Sequence, residues 1–519
     1  MPANQPYFVT TPIYYVNDLP HLGHAYTTVA CDVLARFMRL DGRRVKFLTG
    51  SDEHGQKVEQ SARAAGIAPQ EFCDRISPAW QEMTRLLNIS NDDFIRTTEP
   101  RHVRGVEALW RELERRGEIY LGRFSGWYSV RDEAFYDENE LIEGPQGRRI
   151  APTGAEVEWL EEDNYFFRLS AWQDRLLAWY EAHPEAIAPR SRRNEVISFV
   201  KSGLRDLSIS RTSFSWGIPV PGNPKHVIYV WLDALINYIT ALGYPETSDG
   251  EFATFWPADL HMVGKDILRF HTVYWHAFLL AAGLEPPRRV FAHGWWTAEG
   301  QKMSKSLGNF ITPKELVDRY GLDPVRYFLL RELPFGNDGD FSHRAIVGRL
   351  NGDLANDFGN LAQRVLAMIN RNCDAAVPEP GEFTEADEEL LGEVRELLAR
   401  VRPQIAEQAF HLALETIWRV VSAANRYVDE QAPWALRRGD PARMRTVLYA
   451  LAETLRHLAI LTQPFVPDAA AKLLDQLAVL QGQRDFAALT ASPLQPGTRL
   501  PRPEGIFPRF VEAEAAAGN

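Results

Sequence analysis

Near the start of the chain, Tyr7-Phe8-Val9-Thr10-Thr11-Pro12-Ile13-Tyr14-Tyr15 reads as one buried strand. It leads through Asn17-Asp18-Leu19-Pro20 into His21-Leu22-Gly23-His24, and then Val29, Val33, Leu34, Phe37 and Met38 recur at helical spacing as far as Asp41-Gly42. A strand that feeds a helix through a tight turn favours an open parallel sheet with helices on its faces. His21 and His24 then stand at a helix N-terminus. Unpaired backbone N–H groups and the positive end of the helix dipole are expected there, and Gly23 holds no side chain between a phosphate and the backbone. A polyphosphate suits this place, although a histidine beside an apolar run is also ordinary core.

Far along the chain a second string, Gln301-Lys302-Met303-Ser304-Lys305-Ser306-Leu307-Gly308-Asn309, carries lysines and serines between Gly300 and Gly308. Glycine-flanked lysines can close over phosphates, while the plainer reading is a solvated surface loop. Two such strings in one chain favour the phosphate reading.

Between them the elements alternate. Val45 to Gly50 reads as a second strand ending in the polar loop Ser51-Asp52-Glu53-His54-Gly55, the carboxyl end at which open sheets bind ligands. Helices are expected up to Ala65, from Gln70 to Leu87 and from Pro100 to about Arg116, with a short strand at Asp93 to Ile95. From Ile119 aromatic and charged residues crowd into short alternating runs, as in an inserted β-rich module. Its loop Gly126 to Ala134 has no cysteine or histidine, so no zinc is expected. The chain is expected to turn helical from Tyr165-Phe166-Phe167-Arg168-Leu169. Arg190, Arg192, Arg193, Lys201 and Arg205 then give a basic cluster or a solvated helix face. Val227 to Trp231 reads as a strand returning to the sheet, followed by a helix over Leu232 to Tyr238, a strand end at Met262 to Ile267 and a run from Val290 to the lysine loop. Asp338 to Ser342 reads as a turn, and from Arg344 the chain is almost wholly helical.

The fold expected is therefore α/β: a doubly wound Rossmann-type domain split by a β-rich connective insert and followed by an all-α helical bundle. The expected segments are 1–117 and 226–300 for the nucleotide-binding halves, 118–225 for the insert, 301–343 for the lysine loop and its continuation, and 344–519 for the bundle. A formal net charge of −12 excludes a protein that coats nucleic acid indiscriminately and leaves patch-like contacts open. Cys31, Cys73 and Cys373 are too scattered for a disulfide framework, which fits a reducing compartment. With no targeting segment and no membrane-length apolar run, a cytoplasmic location is expected.

The two strings resemble the HIGH and KMSKS signatures of class I aminoacyl-tRNA synthetases. Thr11-Pro12-Ile13-Tyr14-Tyr15, Gly50 to Gly55, Val230-Trp231-Leu232-Asp233-Ala234 and Gly264-Lys265-Asp266-Ile267 look like segments of the methionyl-tRNA synthetase family, and the resemblance extends over nearly the whole chain. It implies ligation of L-methionine to tRNA(Met) through a methionyl-adenylate, with ATP and Mg²⁺ as cofactors and no zinc. By the same resemblance His21, Gly23, His24, Lys302 and Lys305 would handle the phosphates, and Gly264 and Asp266 the nucleoside. Asp52 would hold the methionine ammonium, Tyr15 and His271 would approach the sulfur, and Ile13, Trp231, Ala234, Leu235, Tyr238 and Ile267 would complete the pocket. Such residues are physically apt, because a flexible thioether is best selected by close apolar and aromatic walls. Core packing would explain the same aromatics. Asn360, Arg364 and Trp434 match positions that read the CAU anticodon in the family. Asn360 and Arg364 lie four apart on one expected helix, and bases splayed from a loop need stacking surfaces and edge-directed donors. No appended oligonucleotide-binding domain follows the bundle, so a monomer without membrane association is expected.

Two other classes compete. A synthetase for leucine, isoleucine or valine usually has a far larger editing insert than the roughly 100 residues here, which suit one small domain. A small adenylyltransferase would need no helical module. A non-catalytic tRNA-binding scaffold would need neither the histidines nor the lysines.

Overall fold

The computed structural model describes residues 4–16, 19–132, 134–298, 300–302 and 311–512. At its centre is a seven-stranded sheet whose recorded pairings are all parallel. Its strands include β1 (Pro6–Thr10), β2 (Tyr14–Tyr15), β3 (Arg44–Asp52) and β4 (Asp93–Arg96). β1 pairs with β3 on one side and with Leu260–Gly264 on the other. Val290–His293 follows, and Ile187–Ala188 lies at the edge.

The single strand expected over Tyr7 to Tyr15 is two. Thr11-Pro12-Ile13 interrupts it, because Pro12 has no N–H to donate to a ladder, and β2 resumes opposite Ser51 and Asp52. The interruption matters for the site, since it turns Ile13 and Tyr15 toward the cleft at the carboxyl edge of the sheet. The helix that follows, α1 (Leu22–Leu40), is buried along most of its length.

The insert is built on long antiparallel pairing of Ile119–Ser129 with Glu158–Phe167, flanked by Ala134–Tyr136 and Leu207–Ser208. Tyr165 to Phe167 is thus strand, and helical structure starts only at Leu169; alternation of inward and outward side chains outweighs any helical preference there. The strand before Trp231 also differs from expectation. It ends at Ile228 and pairs with Ser210–Arg211 and Pro219–Val220 in a small antiparallel sheet outside the central one. Val230 opens a helix to Leu235, so Trp231 is helical, and a second short helix runs from Asn237 to Thr240. Gly339–Phe341, expected as a turn, is a strand parallel to Trp296–Ala298, because the tertiary pairing supplies the ladder that local turn chemistry does not reveal.

From His343 to Ala491 the chain is mostly helical, with long helices at Glu385–Ala406, Phe410–Gln431 and Pro441–Thr462. One apolar core runs from the helix-α1 face of the central sheet into this bundle. A buried ion pair crosses the same boundary: Arg326 Nη2 lies 2.6 Å from Asp32 Oδ2 on α1 and also donates to the carbonyl of Pro464, while Nη1 and Nε donate to the carbonyls of Leu87 and Phe465. Breaking such a pair by removing one partner costs about 3–5 kcal/mol, so it fixes the bundle against the nucleotide-binding sheet.

Candidate active site

A cleft of about 680 Å³ opens at the carboxyl edge of the sheet. Of the residues singled out for phosphate, nucleoside and methionine, His21, Gly23, His24, Gly264, Asp266, Ile13, Tyr15, Asp52, Trp231, Ala234, Leu235, Tyr238, Ile267 and His271 all line it. Lys302 has its backbone in a short strand that pairs with Trp296–Ala298, opposite the cleft residue Thr297. Lys305 lies outside the described residues. Where the described chain resumes, Ile311 O accepts from Leu22 N at the start of α1 (3.1 Å).

The helix end is built differently from expectation. Leu22 N donates to Ile311 O, Gly23 N to His21 Nδ1 (3.0 Å) and His24 N to His21 O (3.0 Å), so these first N–H groups are already engaged within the protein. His21 is the N-cap, and His24 Nδ1 accepts from His21 N at 3.2 Å, which makes a reciprocal capping box from two imidazoles. Because both Nδ1 atoms are acceptors, each neutral ring has its proton on Nε2. The rings lie 3.8 Å apart, and Tyr14 and Trp80 meet His24 edge to face. Burial, with His21 and His293 nearby, keeps His24 neutral well below the usual histidine range. A Cβ on Gly23 would meet the His21 ring at 3.0 Å, so the histidine itself favours glycine here.

At the other end, Trp231 stacks on Phe270 at 3.7 Å, and Tyr238 bonds to His271 Nε2 at 2.7 Å. His271 Nδ1 bonds to Ile267 O at 2.9 Å, and burial lowers the imidazole to about 4. The Tyr15 hydroxyl donates to His54 O at 2.9 Å, while Asp52 sits opposite Tyr15 in the sheet. His54 is in turn held by the fully buried Asp233, which lies 2.7 Å from both His54 and His102. Burial alone would raise the Asp233 carboxyl, but His54 and then His102 outweigh it and hold it at about 2. Elsewhere in the cleft Asp266 Oδ1 accepts from Trp295 Nε1 (3.0 Å), and a Cβ on Gly264 would meet that same oxygen at 2.5 Å.

Sequence reasoning missed several cleft residues. Phe270, Lys57, His293 and Trp295 are brought in by tertiary contact, and Arg131, Asp132, Tyr136 and Thr153 come from the insert. Only the stacking of Phe270 had a local signal, since it lies one position before His271. In the bundle, Asn360 and Arg364 share the helix Asn360–Asn372, and Arg364 is brought to Trp434, its guanidinium carbon 5.6 Å from the ring centre. Arg364 also pairs with Asp429 at 2.7 Å, and Trp434 keeps 52% of its surface exposed.

The model of class I tRNA synthetases (M) matches residues 7–366, and that of the anticodon binding domain of methionyl tRNA ligase matches residues 377–517. The chain is 58% identical over 512 residues to the methionine–tRNA ligase of Brucella suis biovar 1, covering 99% of each. It is 54% identical over 521 residues to that of Mycobacterium tuberculosis strain H37Rv, covering 99% of this chain and all of the other. The Mycobacterium tuberculosis methionyl-tRNA synthetase in complex with methionyl-adenylate superposes with a TM-score of 0.95 at 55% identity, over 97% of this chain and 100% of that one. Its apo form gives 0.89 at 51% identity, over 98% and 99%. Two family matches that between them take in both the cleft and the helical bundle, and relatives more than half identical from end to end, show that this chain belongs to the class I methionyl-tRNA synthetase family.

Proposed function

We propose that the cleft divides its work between its two ends, with the paired histidines receiving the triphosphate of ATP and the Trp231, Tyr238 and His271 end receiving methionine. The enzyme is a methionine–tRNA ligase, and this division explains how one cleft serves both substrates. The observation that supports it is the capping box: both Nδ1 atoms accept from the backbone, which puts the proton of each neutral ring on Nε2. The methionine carboxylate attacks the α-phosphorus, the bond to the β-phosphate breaks, and pyrophosphate leaves. A ribose hydroxyl at the 3′ end of tRNA then attacks the acyl carbonyl and AMP departs. Such transfers depend mainly on positioning and on donors aimed at developing charge. His21 and His24, with Lys302 and Lys305 of the second signature, serve that role. Asp52 pairs with the methionine ammonium. With His271 bonded at both nitrogens, the thioether meets aromatic edges and apolar side chains rather than a charged donor.

Among the described residues no group of three or more histidine, cysteine, aspartate or glutamate side chains is gathered as a metal ion would require. The cleft carboxylates Asp52, Asp132 and Asp266 come from separate elements, so Mg²⁺ is proposed to arrive on the nucleotide, supplying charge neutralisation of the phosphates. The insert has no cysteine, and its side chains do not fit zinc. Residues 344–519 are proposed to read the CAU anticodon through Asn360, Arg364 and Trp434. Among the described residues no helix is long and apolar enough to cross a membrane. The enzyme is proposed to act as a cytoplasmic monomer. Charging of tRNA bearing CAU, compared with the same tRNA bearing another anticodon, tests this reading. Methionine incorporation should depend on CAU, and equal charging of both would contradict it.

A further inference from the structure

The insert contributes a lip to the cleft, formed by Arg131, Asp132, Ala134, Tyr136 and Thr153. Asp132 is the centre of that lip. Its Oδ2 accepts from the Tyr136 hydroxyl at 2.8 Å and from the Thr153 hydroxyl, its Oδ1 lies 3.2 Å from Arg131 Nε, and its own N–H donates to Ser129 Oγ at 3.3 Å. Arg131 Nη2 donates to Thr153 O at 2.8 Å. The turn Ala151–Ala155 is closed by a backbone bond from Ala151 N to Ala155 O, and Ala134 pairs with Ser129. One carboxylate thus ties together segments about twenty residues apart in sequence, with no cysteine or histidine in the knot.

Arg131 is the residue that this knot presents. Two of its five N–H donors are used within the lip, and its side chain is 54% exposed. Among the described residues that line the cleft, Lys57 and Arg131 are the two lysine or arginine side chains, and Lys57 lies over the Tyr15 ring on the sheet side. Resting on the proposed division of the cleft, the triphosphate occupies the helix-α1 side. A half-exposed guanidinium supplied by the insert, and not by the helix-α1 side, is then available to whatever enters last. In a tRNA ligase that is the single-stranded 3′ end, whose final ribose must reach the acyl carbonyl while its backbone phosphates pass the rim.

We propose that Arg131, fixed by Asp132, binds a backbone phosphate of the incoming tRNA 3′ strand and positions its terminal ribose for the transfer step. A planar guanidinium with donors to spare is suited to a phosphodiester, and a single contact of this kind is sensitive to salt.

The test measures Arg131→Ala and Arg131→Lys in the full-length enzyme by two assays: methionine-dependent ATP–pyrophosphate exchange without tRNA, and single-turnover transfer from preformed methionyl-adenylate to tRNA. Arg131→Ala should leave exchange within about twofold and raise the tRNA concentration needed for half-maximal transfer about tenfold. The slope of log affinity against log salt should flatten by about 0.7, the loss of one single-strand phosphate contact. Arg131→Lys should recover part of the loss, since lysine keeps the charge without the fork. Unchanged transfer in Arg131→Ala would overturn the proposal. So would a fall in exchange equal to the fall in transfer, which would put the guanidinium on the nucleotide. If the unsubstituted enzyme shows no methionine-dependent exchange, the reading of the cleft itself fails instead.

Discussion

Tyr238 donates its hydroxyl hydrogen to Nε2 of His271 across 2.7 Å, and the direction of that bond is fixed by what surrounds it. His271 Nδ1 carries the ring proton because it faces the Ile267 carbonyl, and burial keeps the imidazole uncharged. That part of the cleft is therefore a neutral, shaped surface.

Replacing Tyr238 with phenylalanine preserves the shape and removes the donor. His271 Nε2 is then left buried without its hydrogen bond, a loss of about 1–3 kcal/mol. Tyr238→Phe should lower the unfolding free energy by that amount and raise KM for methionine in the exchange assay, with KM for ATP nearly unchanged. An equal rise in both KM values would show that Tyr238 does not act at the methionine end.

Acid should destabilise the enzyme through its buried, neutral histidines. Burial lowers His271 to about 4 and His276 to about 3, and holds His261 well below its usual value. An unfolded histidine binds a proton near 6.5, so between about 6.5 and 4 the unfolded chain holds more protons than the folded one. Stability falls as pH falls through that window, and His271 alone accounts for about 3 kcal/mol. Urea midpoints measured from pH 7.5 to 4.5 should drop steadily below 6.5; a flat profile would contradict the buried neutral histidines.

His21 has two tasks that substitution can separate. Asparagine is among the best N-cap residues, so His21→Asn should keep stability within about 1 kcal/mol, while it removes the Nε2–H donor. Exchange should slow about 100-fold, the usual cost of one preorganised donor. Loss of stability together with activity would mean that the histidine is mainly a cap.

Trp434 is half exposed with Arg364 beside its ring, and base stacking on such a surface is worth about 1–3 kcal/mol. Trp434→Ala should therefore weaken tRNA binding about 5- to 150-fold and leave methionine-dependent exchange intact. Undiminished tRNA affinity would remove the residue from the anticodon site.

The parts of the site that were legible in the sequence are those that local chemistry fixes. The His21 to His24 string stands on a periodic helix, and Asn360 and Arg364 face the same way because they are four apart. What escaped is tertiary. Nothing near Leu22 indicates that its N–H is taken by Ile311, some 290 residues later, so the helix end was read as open when its first N–H groups are engaged. Val227 to Trp231 has the composition of a central strand, yet it pairs in a separate antiparallel sheet and its last residues begin a helix. Ile187–Ala188 is too short to stand out, though it forms the edge of the central sheet. Arg131 has no local signature, because the cleft it lines is assembled from segments more than 160 residues apart.

Amino-acid-dependent ATP–pyrophosphate exchange, run on the purified enzyme without added zinc and with methionine beside leucine, isoleucine and valine, tests the central claim most directly. Strong exchange with methionine alone is the predicted result. Absence of exchange with methionine, or stronger exchange with one of the branched amino acids, would contradict the assignment of this cleft.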